Sequence, residues 1–209
     1  MHPTSPQPQR TFNHLLPSIA VLALSLLSGA ASNAAEQSSP PQIASQIQLG
    51  QSDLPLMGTG VATYLWFDVY DAALYAPART PAATILNATT PKALVLSYHH
   101  AVSVADIVKA SWKALDEQYT GAARARLKPK IDALQAAMQD VKPGDRYELT
   151  WQPATNEGAS PQQATLQLIY NGKSLFMSHD AELAQAYFGI WLGEPPLSPK
   201  LKTALLATQ

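Results

Sequence analysis

The sequence predicts an α+β fold, with an antiparallel sheet and a layer of helices on one face. Three observations carry that expectation. Strand-like runs come first, two amphipathic helical segments interrupt them, and further strand-like runs follow before a terminal helical stretch. Asn171-Gly172 lies between two of the later runs, the strongest short-range hairpin signal. After the glycine-broken turn at Gly58-Thr59-Gly60, the run to Tyr75 is apolar or aromatic at both odd and even positions, interrupted by the carboxylates Asp68 and Asp71. That pattern predicts one long central strand covered on both faces.

Each element has its own signal. Ile43 to Leu49 reads as a short first strand, and Ala93 to His99 follows a breaker-rich stretch from Pro77 to Pro91. Ser103 and Asp106 form a capping-box pattern, opening a helix to about Tyr119 with Val104, Val108, Trp112, Leu115 and Tyr119 as its apolar stripe. A second helix is expected from near Pro129, a favoured first-turn residue, and it stops before Pro143-Gly144-Asp145. Strands are expected at Arg146–Gln152, Ala164–Tyr170 and Ser174–Ser178. Asp180 caps a helix over Ala181–Ile190, and Ser198-Pro199 opens a last one through Leu205.

The N-terminus predicts export. Arg10 precedes an apolar run from Leu15 to Leu27, and Ser32-Asn33-Ala34 has the small-x-Ala form of a cleavage site. Residues 1–34 are therefore expected to be a signal peptide, 35–53 a leader with a possible first strand, and 54–209 one domain. The style of the segment and the alanine-rich composition point to a Gram-negative periplasm. Without cysteine the chain has neither a lipidation site of the lipobox type nor disulfides. After cleavage 13 basic residues stand against 15 acidic ones, a net of about −2. That balance gives no reason to expect nucleic acid or an anionic membrane surface as partner.

Candidate chemistry is sparse. Gly58-Thr59-Gly60 has Thr at position 63 and a strand after it, so it reads as a tight turn and not a phosphate loop. His99 and His100 are adjacent on a strand and point to opposite faces, so no metal site is expected. Ser97, His99 and Asp106 supply triad residue types without a nucleophile elbow. Strict alternation places Asp68 and Tyr70 on one face with Tyr64 and Trp66, a polar spot among aromatic rings. Asp68 either sits there in a cleft or is buried and bonded to a tyrosine or to Arg146. The predicted ligand site comprises Trp66, Asp68 and Tyr70 on the sheet with Trp112 and Trp191 on the helices. No cofactor and no metal are expected.

The chain resembles the chalcone isomerase-like family, in particular its bacterial secreted branch. The resemblance is carried by Gly58-Thr59-Gly60-Val61, Phe67 to Tyr75, Asp140-Val141 with Gly144-Asp145-Arg146, Tyr170-Asn171-Gly172, and Gly189 to Gly193 with Leu197-Ser198-Pro199. It implies an open-faced β-sandwich with a helical layer. It also implies either an intramolecular lyase that closes a chalcone ring or a non-catalytic relative, some of which bind fatty acids. The enzymes' arginine, two positions after the Gly-x-Gly, falls at Ala62. Their strand threonine falls at or near Asp68, and their hydroxyl residue before the last glycine falls at Ile190. Tyr119 is a candidate for their helix tyrosine. Losing one positioned donor of this kind commonly costs a factor of ~10² to 10³. The expectation is therefore a periplasmic, non-catalytic domain that binds a small apolar or aromatic ligand, fatty-acid-like among the candidates. The alternatives are an enzyme of altered chemistry using Asp68 and an envelope scaffold or interaction protein.

Overall fold

The computed structural model describes residues 43–155 and 162–207, and the predicted signal peptide lies outside them. Seven strands form one antiparallel sheet in sequence order: β1 (Gln46–Leu49), β2 (Ser52–Tyr64), β3 (Phe67–Tyr75), β4 (Lys92–Tyr98), β5 (Arg146–Gln152), β6 (Thr165–Tyr170) and β7 (Lys173–Ser178). Four helices accompany them: α1 (Val104–Gln118), α2 (Gly121–Ala136), α3 (Ala181–Leu192) and α4 (Pro199–Leu205). The predicted α+β architecture, with helices layered on one sheet face, is the observed one.

The sheet face is set by register. Leu74, Leu94, Leu149 and Leu168 are successive cross-strand partners, and so are Ala72, Leu96, Tyr147 and Tyr170. These rows belong to the large core shared with Leu115, Leu127, Ile131, Leu183, Phe188 and Leu201 of the helices. On the opposite face a small second cluster holds Leu54, Ala73, Tyr75, Ala93 and Val95, with Ile47 and Leu49 packed against it. Double coverage is therefore local, around the β1 end.

The long predicted strand is corrected to a hairpin. β2 and β3 pair along their length, and Leu65 and Trp66 make the two-residue turn between the partners Tyr64 and Phe67. Leu65 takes the left-handed conformation, φ 55°. The turn lacks the Asn, Asp or Gly that normally supplies that geometry, so the apolar run read as unbroken. A second irregularity follows. Ala62 pairs with Tyr70 and Thr63 with Asp68, which leaves Val69 as the extra residue of a β-bulge. Val69 and Tyr70 both pack on the main core, so the alternation that would set Asp68 beside Tyr70 is broken there.

Gly58 and Gly60 are corrected as well. Neither is in a turn: both lie inside β2, with α4 laid across them. A Cβ on Gly58 would come within 2.5 Å of the carbonyl oxygens of Ala204 and Leu205. Glycine here makes room for a helix backbone.

The caps follow the sequence closely. The Ser103 hydroxyl accepts from the Asp106 N–H and donates to the Asp106 carboxylate at 2.6 Å. The Asp180 carboxylate accepts from the N–H groups of Glu182 and Leu183, and Ser198 Oγ accepts from Leu201 N. The second helix departs from expectation, starting at Gly121 with Pro129 in its interior. Its buried stripe, Leu127, Ile131, Leu134 and Gln135, runs past the proline, so burial overrides the missing backbone donor. Arg126 and Lys130 of α2 pair with Glu182, and Lys130 also pairs with Asp180, tying α2 to α3.

One cation lies within the core. Lys92 is 1% exposed. Its ammonium donates to the carbonyls of Asn87 and Thr90 at 3.0 and 2.9 Å and lies 5.4 Å from the Phe188 ring centre. Burial pushes its pKa from the ordinary 10.5 down to about 8. A lowered lysine pKa means that the unfolded chain holds more protons between those values. Stability should therefore rise from pH 8, by about 1–2 kcal/mol before pH 10. Above pH 10 the buried tyrosines reverse the trend, since Tyr70, pushed up to about 12 by burial, ionises more readily in the unfolded chain. Urea midpoints measured from pH 7.5 to 9.5 should climb in the native protein and stay flat in Lys92→Met.

Candidate functional site

Four tyrosines form a ladder across adjacent strands at one end of the sheet. Ring centres of Tyr70 (β3) and Tyr98 (β4) are 5.3 Å apart, those of Tyr98 and Tyr147 (β5) 6.3 Å, and those of Tyr147 and Tyr170 (β6) 5.0 Å. From the helix layer Tyr187 and Trp191, themselves 6.3 Å apart, meet the ladder. An apolar cavity of about 20 Å³ lies between the two layers, lined among others by Leu96, Tyr98, Ile107, Met138, Tyr187 and Trp191. That volume holds roughly one water molecule, far short of the ~300–1,000 Å³ of a ligand pocket. The interior is closed in this conformation.

Three of the polar side chains lining the cavity are hydrogen-bonded within the protein. Trp191 Nε1 donates to the Tyr70 hydroxyl at 2.9 Å, joining α3 to β3. The Tyr147 hydroxyl accepts from Gln139 N at 2.7 Å and donates to Gln139 O at 2.9 Å. The Tyr187 hydroxyl donates to Met138 Sδ at 3.3 Å. Tyr98 is buried and lines the cavity, its ring packed between those of Tyr70 and Tyr147.

The ladder is a set of neutral donors. Burial raises the pKa of Tyr70, Tyr98 and Tyr187, and at Tyr98 the neighbouring phenols raise it further. Tyr170 reaches about 12 chiefly because its hydroxyl donates to Asp145 at 2.6 Å. Asp145 in turn is lowered, first by that bond and then by the amide of Asn171, while Asn171 Oδ1 accepts from Arg146 N. Hence the Gly144-Asp145-Arg146 and Tyr170-Asn171-Gly172 blocks act as one clasp at the ladder's outer end. No phenolate forms near neutral pH, and no arginine or lysine lines the cavity. The site can offer hydrogen bonds to a carbonyl or hydroxyl, but no counter-charge to an anion.

The five expected ligand residues are dispersed. Tyr70 and Trp191 come together through their hydrogen bond. Trp66 and Asp68 do not face the helices, which corrects the placement expected from alternation. Trp66 is 86% exposed at the hairpin turn, and Asp68 is exposed with its carboxylate accepting from Thr63 Oγ1 at 2.9 Å. Asp68 therefore bonds neither a tyrosine nor Arg146, whose guanidinium pairs with Glu148. It is Asp71 that finds a side-chain partner, the His99 imidazole, at 3.1 Å. Trp112 lies outside the cavity lining: its N–H donates to Gln135 Oε1 at 3.0 Å, and Arg124 and Lys128 sit over its ring. Tyr119 closes the end of α1 and is also outside the lining. Ala62 packs against the core and Ile190 is fully buried within it.

Sequence reasoning missed Tyr98, Tyr147, Tyr187 and Met138 as site residues. The signal was present, because each tyrosine was placed in its element, but only the register brings them to one end of the sheet.

Comparison with known proteins adds the lineage. A family model described as chalcone isomerase-like matches residues 35–207. A search of curated proteins found no match. Among solved structures, a fatty-acid binding protein of Arabidopsis thaliana is similar in fold, with a TM-score of 0.58 and 16% identity, over 79% of this chain and 91% of that one.

Proposed function

This chain belongs to the chalcone isomerase-like family, and we propose that it is a non-catalytic, exported domain that takes up a small apolar ligand with an uncharged polar end. The observation that carries the reading is the apolar cavity between sheet and helices, walled by the buried Tyr98 and Tyr187. The fatty-acid binding of the Arabidopsis protein of the same fold supports it. Entry requires the layers to part, and the Trp191–Tyr70 bond between α3 and β3 is the contact that must give. Catalysis through Asp68 finds no support, since that carboxylate sits on the hairpin shoulder beside Thr63. Bacterial secretion and a periplasmic location remain part of the proposal, supported by the apolar run Leu15–Leu27 and Ser32-Asn33-Ala34.

Native mass spectrometry of the protein from its exported fraction should show a one-to-one adduct with an apolar molecule. A fluorescent fatty alcohol should bind and be displaced by unlabelled fatty alcohols and esters. Tyr98→Phe should weaken binding about five- to tenfold. A protein that carries nothing and displaces nothing would sink the reading. In that case the closed interior together with the exposed apolar hairpin favours the interaction-protein alternative.

A further inference from the structure

The β2–β3 hairpin ends in four large apolar side chains exposed to solvent. Tyr64 and Leu65 are each 70% exposed, Trp66 86% and Phe67 59%, with Val61 at 42% further down the strand. Single exposed apolar residues are ordinary; a run of four at one turn is not. Nothing in the folding of the described residues accounts for it, because each would lose less by being polar.

We propose that this tip is a membrane-docking wedge that enters the interface of a lipid bilayer with little net charge. Its shape is the first argument. The tip is a convex two-residue turn, not a groove or a flat face, and such a projection suits a soft medium that closes around it. Its chemistry is the second. Tyr and Trp carry a polar atom on an apolar ring and favour the headgroup level, while Leu65 and Phe67 supply the part that goes deeper. Its backbone is the third. Tyr64 and Phe67 pair across the strands, so only the turn brings unpaired peptide groups to the lipid. Charge selects the surface: no lysine or arginine occurs between residues 11 and 78, and Asp68 and Asp71 follow the tip. A strongly anionic surface would be repelled at this edge.

The wedge sits at the cavity end of the sheet. Phe67 meets His100 edge-on at 5.8 Å, two residues beyond the cavity-lining Tyr98. Tyr70, which holds Trp191, lies three residues from Phe67, roughly 10 Å along an extended strand. Docking would thus bring the Tyr70–Trp191 contact close to the bilayer, a natural reservoir of apolar molecules. The proposal does not rest on ligand uptake, and its test leaves the cavity alone.

The experiment mixes the exported protein with phosphatidylcholine vesicles, plain or brominated on the acyl chains. Vesicles should quench the Trp66 part of the emission when brominated, and raising the salt should not release the protein. Trp66→Phe should keep vesicle binding and lose that quenching. Leu65→Ser with Trp66→Ser should lower partitioning by about tenfold or more with an unchanged circular dichroism spectrum, since both side chains are outside the core. Unquenched Trp66 emission would overturn the proposal, as would binding confined to anionic vesicles and lost in salt. Self-association abolished by the double substitution, without vesicle binding, would also overturn it and make a second copy of the chain the occupant.

Discussion

Gly58→Ala should lower the stability of the domain by about 3 kcal/mol and its melting temperature by about 6–12 °C. The reason is steric and lies in the helix, not the strand. The added Cβ would sit 2.5 Å from two carbonyl oxygens of α4 and 2.8 Å from the Leu205 carbonyl carbon. Real carbon–oxygen contacts do not come that close, and backbone cannot rotate aside as a side chain can. Relief requires α4 to lift, which would expose Leu201 and Leu205, now 3% and 0% exposed. Gly144→Ala is the control. There φ is +90°, but a Cβ would meet nothing within 4 Å, so the change should cost only the conformational term, about 1 kcal/mol. Thermal unfolding of both variants checks the contrast. Equal losses would mean that α4 yields freely and that the glycine pair has another purpose.

Trp151→Ala should cost about 3–5 kcal/mol and expose the long connection between β3 and β4 to protease. The indole is 1% exposed, lies opposite Lys92 on one side and Leu166 on the other, and donates from Nε1 to the Ala88 carbonyl at 2.8 Å. That bond pins the breaker-rich 77–91 segment, whose carbonyls at Asn87 and Thr90 hold the Lys92 ammonium. Trp151→Phe isolates the hydrogen bond and should lose only about 1–2 kcal/mol, with cleavage in the segment still raised. Chemical denaturation and limited proteolysis of the two variants separate packing from anchoring. If Trp151→Phe were cleaved no faster than the native chain, Lys92 and the buried Ile85 would hold the segment without the indole hydrogen bond.

Both predictions turn on details that the linear pattern carries only in part. The glycines of β2 were visible, yet glycine in a strand signals either a turn or the close approach of another backbone, and the two differ only in what lies above. The hairpin tip was hidden for a related reason. Leu65 and Trp66 do not announce a turn, so an apolar run through them is what a covered strand would show. Only the pairing of Tyr64 with Phe67, and the bulge at Val69, reveals that Trp66 stands at an exposed turn and Asp68 on the exposed end of the hairpin. Tyr70 and Trp191 were legible as aromatic residues with a polar atom on core-facing elements. Their 2.9 Å bond was not, because 121 residues separate them.

What the residues determined by themselves is the class of the fold and the order of its parts. Caps at Ser103, Asp180 and Ser198, the Asn171-Gly172 turn, and stripes of period 3.6 or 2 are interactions among near neighbours, and near neighbours are what a sequence displays. The tertiary structure decided which face each strand presents, where the chain reverses without a turn residue, and which tyrosines share one end of the sheet. Those outcomes depend on register and on burial between distant segments. One extra residue in a strand inverts the faces that follow, and no local preference records it.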